Sequence, residues 1–366
     1  MKNVLRYSVV IYLILVLYSC SSSEKTLYAV NTFNASSDSI RFVGRVKKSD
    51  DSVAVYWSGT NILMRFKGKS LKAILRDEHG KNYFNVVIDG DSLHYFKLDS
   101  VKRSYTLAEN LSDEEHTIEL IKRTEWDRGT SWFYGAEVEN GTLLSLPEKK
   151  QRVIEFFGNS ITAGYAIEDN TGGDSPDSMF TNNYRTYGAI TARHFNADAY
   201  FIVKSGIGIL VSWFPLIMPE MYNRLDPKDS TSTWDFNQVK PQVVVINVLQ
   251  NDVWLTALPD HPSFKMRFGK EAPTPKRIVQ AYRDFISKIR SVYPDAYIIC
   301  ALGSMDAMKE GSPWPGYVTE AVAQINDDKI LTHFFPYMNK GGHPRKEDNR
   351  VMAESLIKFI DDNVKW

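Results

Sequence analysis

Four residue types spread along a chain of 366 residues have the makings of one acyl-transfer site. Ser160 lies in Phe157-Gly158-Asn159-Ser160-Ile161-Thr162, directly after the apolar run Val153-Ile154-Glu155-Phe156. That run reads as a buried strand, so Ser160 falls where a strand gives way to a loop or helix. A serine hydroxyl is a weak nucleophile alone; it needs a base and a pocket of donors for the oxyanion. Three later segments supply those types, each just after a strand-like run. Ser205-Gly206-Ile207-Gly208 follows Tyr200-Phe201-Ile202-Val203, and its glycines let a backbone N–H approach a substrate oxygen. Gln250-Asn251-Asp252 follows Val243-Val244-Val245-Ile246-Asn247-Val248, and the Asn251 amide is a second donor. Gly341-Gly342-His343-Pro344 precedes a final helical pattern, where His343 stands ready to deprotonate Ser160. Each also has a plainer use: a helix cap for Ser160 or Asn251-Asp252, a tight turn for Gly206, a surface loop for His343. The order Ser, Gly, Asn, His at successive strand ends of one α/β segment favours the chemical use, because open α/β sheets keep ligands outside those ends.

The elements that must position these residues follow from periodicity. From residue 152 to 366, strands are expected near 153–157, 198–203, 242–248, 296–302 and 329–334. Helix-period segments lie at 182–195, 275–292 and 316–326, with a last helix near 346–362. The alternation predicts a three-layer α/β/α domain whose five-stranded parallel sheet has a flavodoxin-like order. Long insertions at 164–181, 212–240 and 254–274 are of the size that usually carries function. Residues 33–147 have another texture. Short β-type runs such as Ile62-Leu63-Met64-Arg65-Phe66 and Leu71-Lys72-Ala73-Ile74-Leu75 alternate with turn signals such as Lys67-Gly68-Lys69. They predict an all-β sandwich of jelly-roll type.

The N-terminus reads as a targeting segment. Lys2 and Arg6 precede an apolar core from Val9 to Leu17, too short to span a bilayer comfortably. Leu17-Tyr18-Ser19-Cys20 resembles a bacterial lipobox, in which the cysteine is lipidated. Residues 1–20 are then a lipoprotein signal, and 21–32 a tether on a protein held to the bacterial cell envelope. With Cys20 lipidated, Cys300 has no partner for a disulfide, and its apolar neighbours make it a core residue. Equal numbers of basic and acidic residues, 44 each, with no basic tract, argue against a nucleic-acid partner. Of the 8 tryptophans, Trp213, Trp254 and Trp314 follow the site-bearing strands and are candidates to stack on sugar rings at the cleft mouth. Trp57, Trp126 and Trp132 are expected to pack in the sandwich core.

Gly158-Asn159-Ser160-Ile161-Thr162 resembles the first block of the SGNH, or GDSL-type, hydrolases, and Gly206, Asn251 and His343 match the other three named positions. The wider pattern is similar to carbohydrate esterase family two. It comprises a strand-rich first domain, Ile154 to Tyr165, Tyr187-Gly188-Ala189-Ile190-Thr191-Ala192-Arg193 and Ser205-Gly206-Ile207-Gly208. The resemblance implies removal of O-acetyl groups from xylan- or glucomannan-type polysaccharide through an acetyl-serine intermediate, with no metal or organic cofactor. Ser160 would be the nucleophile, His343 the base, and the N–H groups of Ser160 and Gly206 with the Asn251 side chain the oxyanion hole.

Three departures accompany it. Asn159 replaces the common aspartate of the first block. Leu249 and Gln250 replace the usual Gly-Thr before Asn251, which is expected to crowd that loop and shift its amide. Lys340 stands where the triad aspartate is usual, so a Ser-His dyad with the Gly341 carbonyl orienting His343 is expected. Asp260-His261-Pro262 mimics the terminal signature but falls in an insertion and is set aside. An esterase for another acyl ester, and a glycan-binding lipoprotein without turnover, are the alternatives.

Overall fold

The computed structural model describes residues 29–338 and 340–366. The signal segment 1–20, Cys20 and the tether up to residue 28 lie outside the described residues.

The N-terminal sandwich is built from alternation. Along Leu71–Asp77 buried and half-exposed residues alternate, as a strand with one dry face requires. Ser131–Glu139 does the same except at Gly135, where its pairing with Leu71–Asp77 shifts register. Two six-stranded antiparallel sheets result. Their facing side chains, among them Phe66, Leu75, Phe84, Leu120 and Phe133, form one closed core. Each such side chain, fully buried, contributes about 1.5–3 kcal/mol of transfer free energy. The sandwich begins before the expected Phe33: Val30–Asn34 is a strand paired along Glu139 to Gly135, so the last residues assigned to the tether belong to the sheet.

The second domain has five parallel strands: β1 (Arg152–Gly158), β2 (Ala197–Val203), β3 (Val243–Asn247), β4 (Tyr297–Leu302) and β5 (Ile330–Phe334). Their order is β2-β1-β3-β4-β5, the expected flavodoxin-like arrangement. They are mostly apolar because helices cover both faces, with the buried Glu155 at the middle of β1 an exception. Tyr187–His194 and Lys346–Asn363 pack on one face, Pro275–Val292 and Trp314–Ile325 on the other. Pro275–Val292 shows the local logic. Thr274 caps it by accepting from the Arg277 N–H, Pro275 occupies the first turn, and Ile278, Tyr282, Phe285, Ile286 and Ile289 form its buried stripe. The helix expected over 182–195 starts later. Asn183–Arg185 is a single 3-10 turn, and Thr186 caps the α-helix at Tyr187.

Register decides where the site forms. Gly158 of β1 pairs with Val203 of β2 and with Asn247 of β3, so three strands end at one level. The segments carrying Ser160, Gly206 and Asn251 therefore leave the same edge of the sheet.

The two domains share a packed interface. Trp57, expected in the sandwich core, is buried against the second domain and donates its indole N–H to the Leu225 carbonyl at 2.9 Å. Trp126 and Trp132 also pack towards that second core. At the centre, Arg45 reaches Glu155 of β1 at 2.9 Å, with both side chains buried, and donates to the Tyr222 and Arg224 carbonyls.

Candidate active site

Ser160 opens a single helical turn, Ser160–Ala163, immediately beyond β1. Asn159 caps that turn by accepting from the Ile161 N–H at 3.1 Å, and its own amide donates to the Val248 carbonyl beyond β3. The residue that departs from the family aspartate thus ties two strand ends together, which an amide with both donor and acceptor does well. Gly158 has no room for a side chain, since a Cβ there would strike Thr162.

The Ser160 hydroxyl lies 2.8 Å from His343 Nε2. On the other side of the ring, His343 Nδ1 lies 2.6 Å from Asp174 Oδ2. A proton on Nδ1 facing the carboxylate leaves the Nε2 lone pair for the serine proton, which is the arrangement a general base needs. This overturns the expected dyad. The group orienting His343 is the Asp174 carboxylate, not the Gly341 carbonyl, and it comes from the 164–181 insertion rather than from the residues preceding the histidine. Lys340, in the usual aspartate position, instead pairs with Asp348 at 2.5 Å.

Asp174 is gripped from several sides. The His343 backbone N–H donates to it at 3.0 Å, and Arg345 Nη1 donates at 3.0 Å. Arg345 also holds the Ala166 and Gly173 carbonyls, fixing the insertion that carries the acid. The hydrogen bond from His343 holds the Asp174 carboxyl well below the usual carboxylate range, against a desolvation that works the other way. Gly342, with φ of +84°, completes the fit, because a Cβ there would come within 2.9 Å of Asp174 Oδ1. The Tyr165 ring packs on the imidazole with centroids 4.9 Å apart.

The oxyanion side is equally determined. Gly206 has φ of +83°, in the left-handed region that favours glycine. Asn251 Nδ2 donates to the Ile207 carbonyl at 2.8 Å, and its Oδ1 accepts the Trp213 indole N–H at 3.1 Å. Both contacts fix the amide plane and leave its second N–H available. Among the described residues, the N–H groups of Ser160 and Gly206 have no acceptor within the protein. These are the three expected donors, carried by segments that leave the same edge of the sheet.

Leu249 stands at the N-cap of Gln250–Leu255, the short helix that carries Asn251. It is buried in the core below, and Gln250 turns inward to accept the Ala307 N–H at 3.0 Å. The loop is steadied by Asp252, which accepts the N–H groups of Ile209, Leu210 and Val211 at 2.7 to 3.1 Å. Burial pushes the Asp252 carboxyl up to about 7, with those three donors opposing the rise.

The tryptophans divide. Trp213 is exposed beside Asn251, as a platform at the cleft mouth requires. Trp254 is half-buried and donates to Asp306 at 2.6 Å. Trp314 is not at the mouth: it starts the helix Trp314–Ile325 and is buried in the core, because its ring belongs to that helix's dry face. His261 caps the helix Pro262–Phe268 and packs edge-on against Trp213, and the base hydrogen-bonded to Ser160 is His343. Cys300 is buried on β4, where burial lifts its thiol to about 12. Sequence reasoning missed Asp174, Arg345 and the part played by Asp252. The length of the 164–181 insertion was the one available signal for Asp174.

A family model described as carbohydrate esterase 2 N-terminal matches residues 42–147. A solved family two carbohydrate esterase from Clostridium thermocellum, in complex with cellohexaose, is 33% identical, with 88% of this chain and 98% of that chain covered and a TM-score of 0.79. The fold is shared with a family two carbohydrate esterase from Cellvibrio japonicus at 22% identity and a TM-score of 0.81, covering 92% of this chain and 98% of that one. Among curated proteins, the chain is 34% identical over 345 residues to the cellulase/esterase CelE of Acetivibrio thermocellus. That match covers 89% of this chain and 40% of CelE, so the chain spans well under half of that relative's length. An acetylxylan esterase / glucomannan deacetylase of Cellvibrio japonicus is 22% identical, with 96% of each chain covered.

Proposed function

The chain belongs to carbohydrate esterase family two, and from that premise we propose that it removes O-acetyl groups from a xylan- or glucomannan-type polysaccharide. The observation that carries this reading is the continuous path Ser160 Oγ to His343 Nε2, and His343 Nδ1 to Asp174. In it, Ser160 Oγ attacks the acetyl carbonyl while His343 Nε2 takes the hydroxyl proton. The oxyanion is received by the N–H groups of Ser160 and Gly206 and by Asn251 Nδ2. Collapse breaks the bond to the sugar oxygen, which leaves with the proton from His343, and acetyl-Ser160 remains. Water, deprotonated by His343, then attacks the acyl group, releasing acetate and the free serine. Asp174 stays ionised throughout and stabilises the imidazolium of each step.

The reading is tested by acetate release from acetylated xylan and acetylated glucomannan, comparing a chain lacking residues 1–20 with its Ser160→Ala variant. Release by the parent and none by the variant is expected. A folded parent inactive on both polymers and on p-nitrophenyl acetate sinks it.

We further propose that the protein is held to the cell envelope through lipid on Cys20, on the strength of Leu17-Tyr18-Ser19-Cys20 following a short apolar core. Incorporation of a labelled fatty acid, abolished in Cys20→Ala, is the expected result. Equal labelling of both overturns the anchor.

A further inference from the structure

We infer that Glu125 of the sandwich domain is a positioning residue for the oxyanion hole, so that the first domain completes the catalytic site of the second. The inference rests on the esterase reading above and assigns a role within it.

Glu125 lies at the sandwich edge, just before the 3-10 turn Trp126–Arg128, and is almost wholly buried. Its carboxylate crosses the domain boundary and accepts twice from one residue: Oε2 from the Ser205 N–H at 2.5 Å and Oε1 from the Ser205 hydroxyl at 2.5 Å. Ser205 is joined by a single peptide to Gly206, whose N–H is an oxyanion donor. Gripping backbone and side chain of Ser205 together fixes the orientation from which the Gly206 peptide departs. The rest of the loop backbone is held from within its own domain. Lys204 N–H donates to the Gly158 carbonyl, Trp213 N–H to the Gly206 carbonyl, and Asn251 to the Ile207 carbonyl. Ser205 is the one residue of this turn whose N–H and hydroxyl both look to the sandwich.

Glu125 is itself well supported. Lys122 Nζ, buried beside it, donates to the carbonyls of Thr124 and Glu125 at 3.0 and 3.2 Å. Lys204 Nζ stands 3.7 Å from Glu125 and 3.0 Å from Asp127, so the carboxylate next to a developing oxyanion is offset by a cation. That compensation matters, since an unpaired anion there would oppose the charge the site is built to receive. A bond that merely docked the domains would need neither the bidentate grip on Ser205 nor this placement beside Gly206.

The test compares the parent with Glu125→Gln and with Ser205→Ala, each as the full chain after residue 20. Readouts are hydrolysis of p-nitrophenyl acetate and inhibition by a small alkylboronic acid. The boronic acid forms a B–O bond to Ser160 Oγ, the serine proton passing to His343, and so mimics the tetrahedral intermediate. Glu125→Gln is expected to lower kcat about ten- to hundredfold, with the boronate inhibition constant rising in parallel. KM is expected to stay within about twofold, because ground-state contacts are untouched. A folded Glu125→Gln protein with unchanged kcat and boronate affinity overturns the inference, as does a fall in kcat with boronate affinity unchanged. If Glu125→Gln does not fold, Ser205→Ala decides: a loss of about tenfold supports the role, and parental kcat overturns it. An active parent with unaffected variants removes this inference alone; an inactive folded parent removes the esterase reading and this role with it.

Discussion

Asp174 Oδ2 stands 2.6 Å from His343 Nδ1 although 169 residues separate the two in the chain. The acid reaches the histidine from the loop that follows the nucleophile's own helical turn, and Gly342 is what lets it approach. The histidine and the carboxylate that orients it are therefore brought together from an insertion and a C-terminal loop, with no local motif joining them.

Replacing the acid is the most direct check. Asp174→Asn is expected to lower kcat by about 10²–10⁴, since the wrong imidazole tautomer is then favoured. Gly341→Ala is expected to keep activity near the parent's, because a Cβ at 341 meets nothing within 4 Å. The reverse pattern in steady-state kinetics would restore the carbonyl-oriented dyad.

Asn251 and Trp213 form a second pair. Asn251→Ala removes an oxyanion donor and is expected to cost about 10²–10³ in kcat. Trp213→Phe keeps an aromatic surface but withdraws the N–H that fixes Asn251 Oδ1, so a smaller loss is expected, again in kcat more than KM. Equal and large rises in KM for Trp213→Phe would point instead to the indole N–H binding substrate.

Arg45 offers a stability test of the domain interface. Arg45→Met strands the buried Glu155 charge and two backbone carbonyls, and is expected to cost about 3–5 kcal/mol in urea unfolding. Exchanging both partners for apolar residues of similar volume should recover most of that loss. A single variant as stable as the parent would mean that the ion pair does not hold the domains together.

Asp174 also sets a pH dependence. Its carboxyl is held below the ordinary range in the folded protein, so the unfolded chain takes up the proton first. Its stabilising contribution is complete above the unfolded value of about 4 and is lost as pH falls towards the folded value. The parent's Tm should therefore fall more steeply than that of Asp174→Asn below about pH 5, the gap between the two curves narrowing as pH falls. Parallel curves would show that the carboxylate gains nothing from its partners on folding.

Much of this protein was legible in the chain alone. The five strands, the helix Pro275–Val292 and the two-domain division follow from periodicity and caps, which are local properties of neighbouring residues. Ser160, Gly206 and Asn251 were legible because each sits within a few residues of a strand end, and a parallel sheet sends all such ends to one edge, while His343 was legible from the loop before the last helix. What only the tertiary structure decided is how each group is oriented. Asp174 lies in a loop whose path is set by Arg345 and the close approach of Gly342, and no spacing in the chain encodes that meeting. Glu125 and Trp57 look from their own segment like sandwich residues, yet their partners lie in the other domain. Trp314 looks like a cleft aromatic until its helix turns it into the core. Periodicity says which faces are dry and where strands end. Which carboxylate finds which donor depends on contacts between distant segments, and those exist only once the two domains are packed.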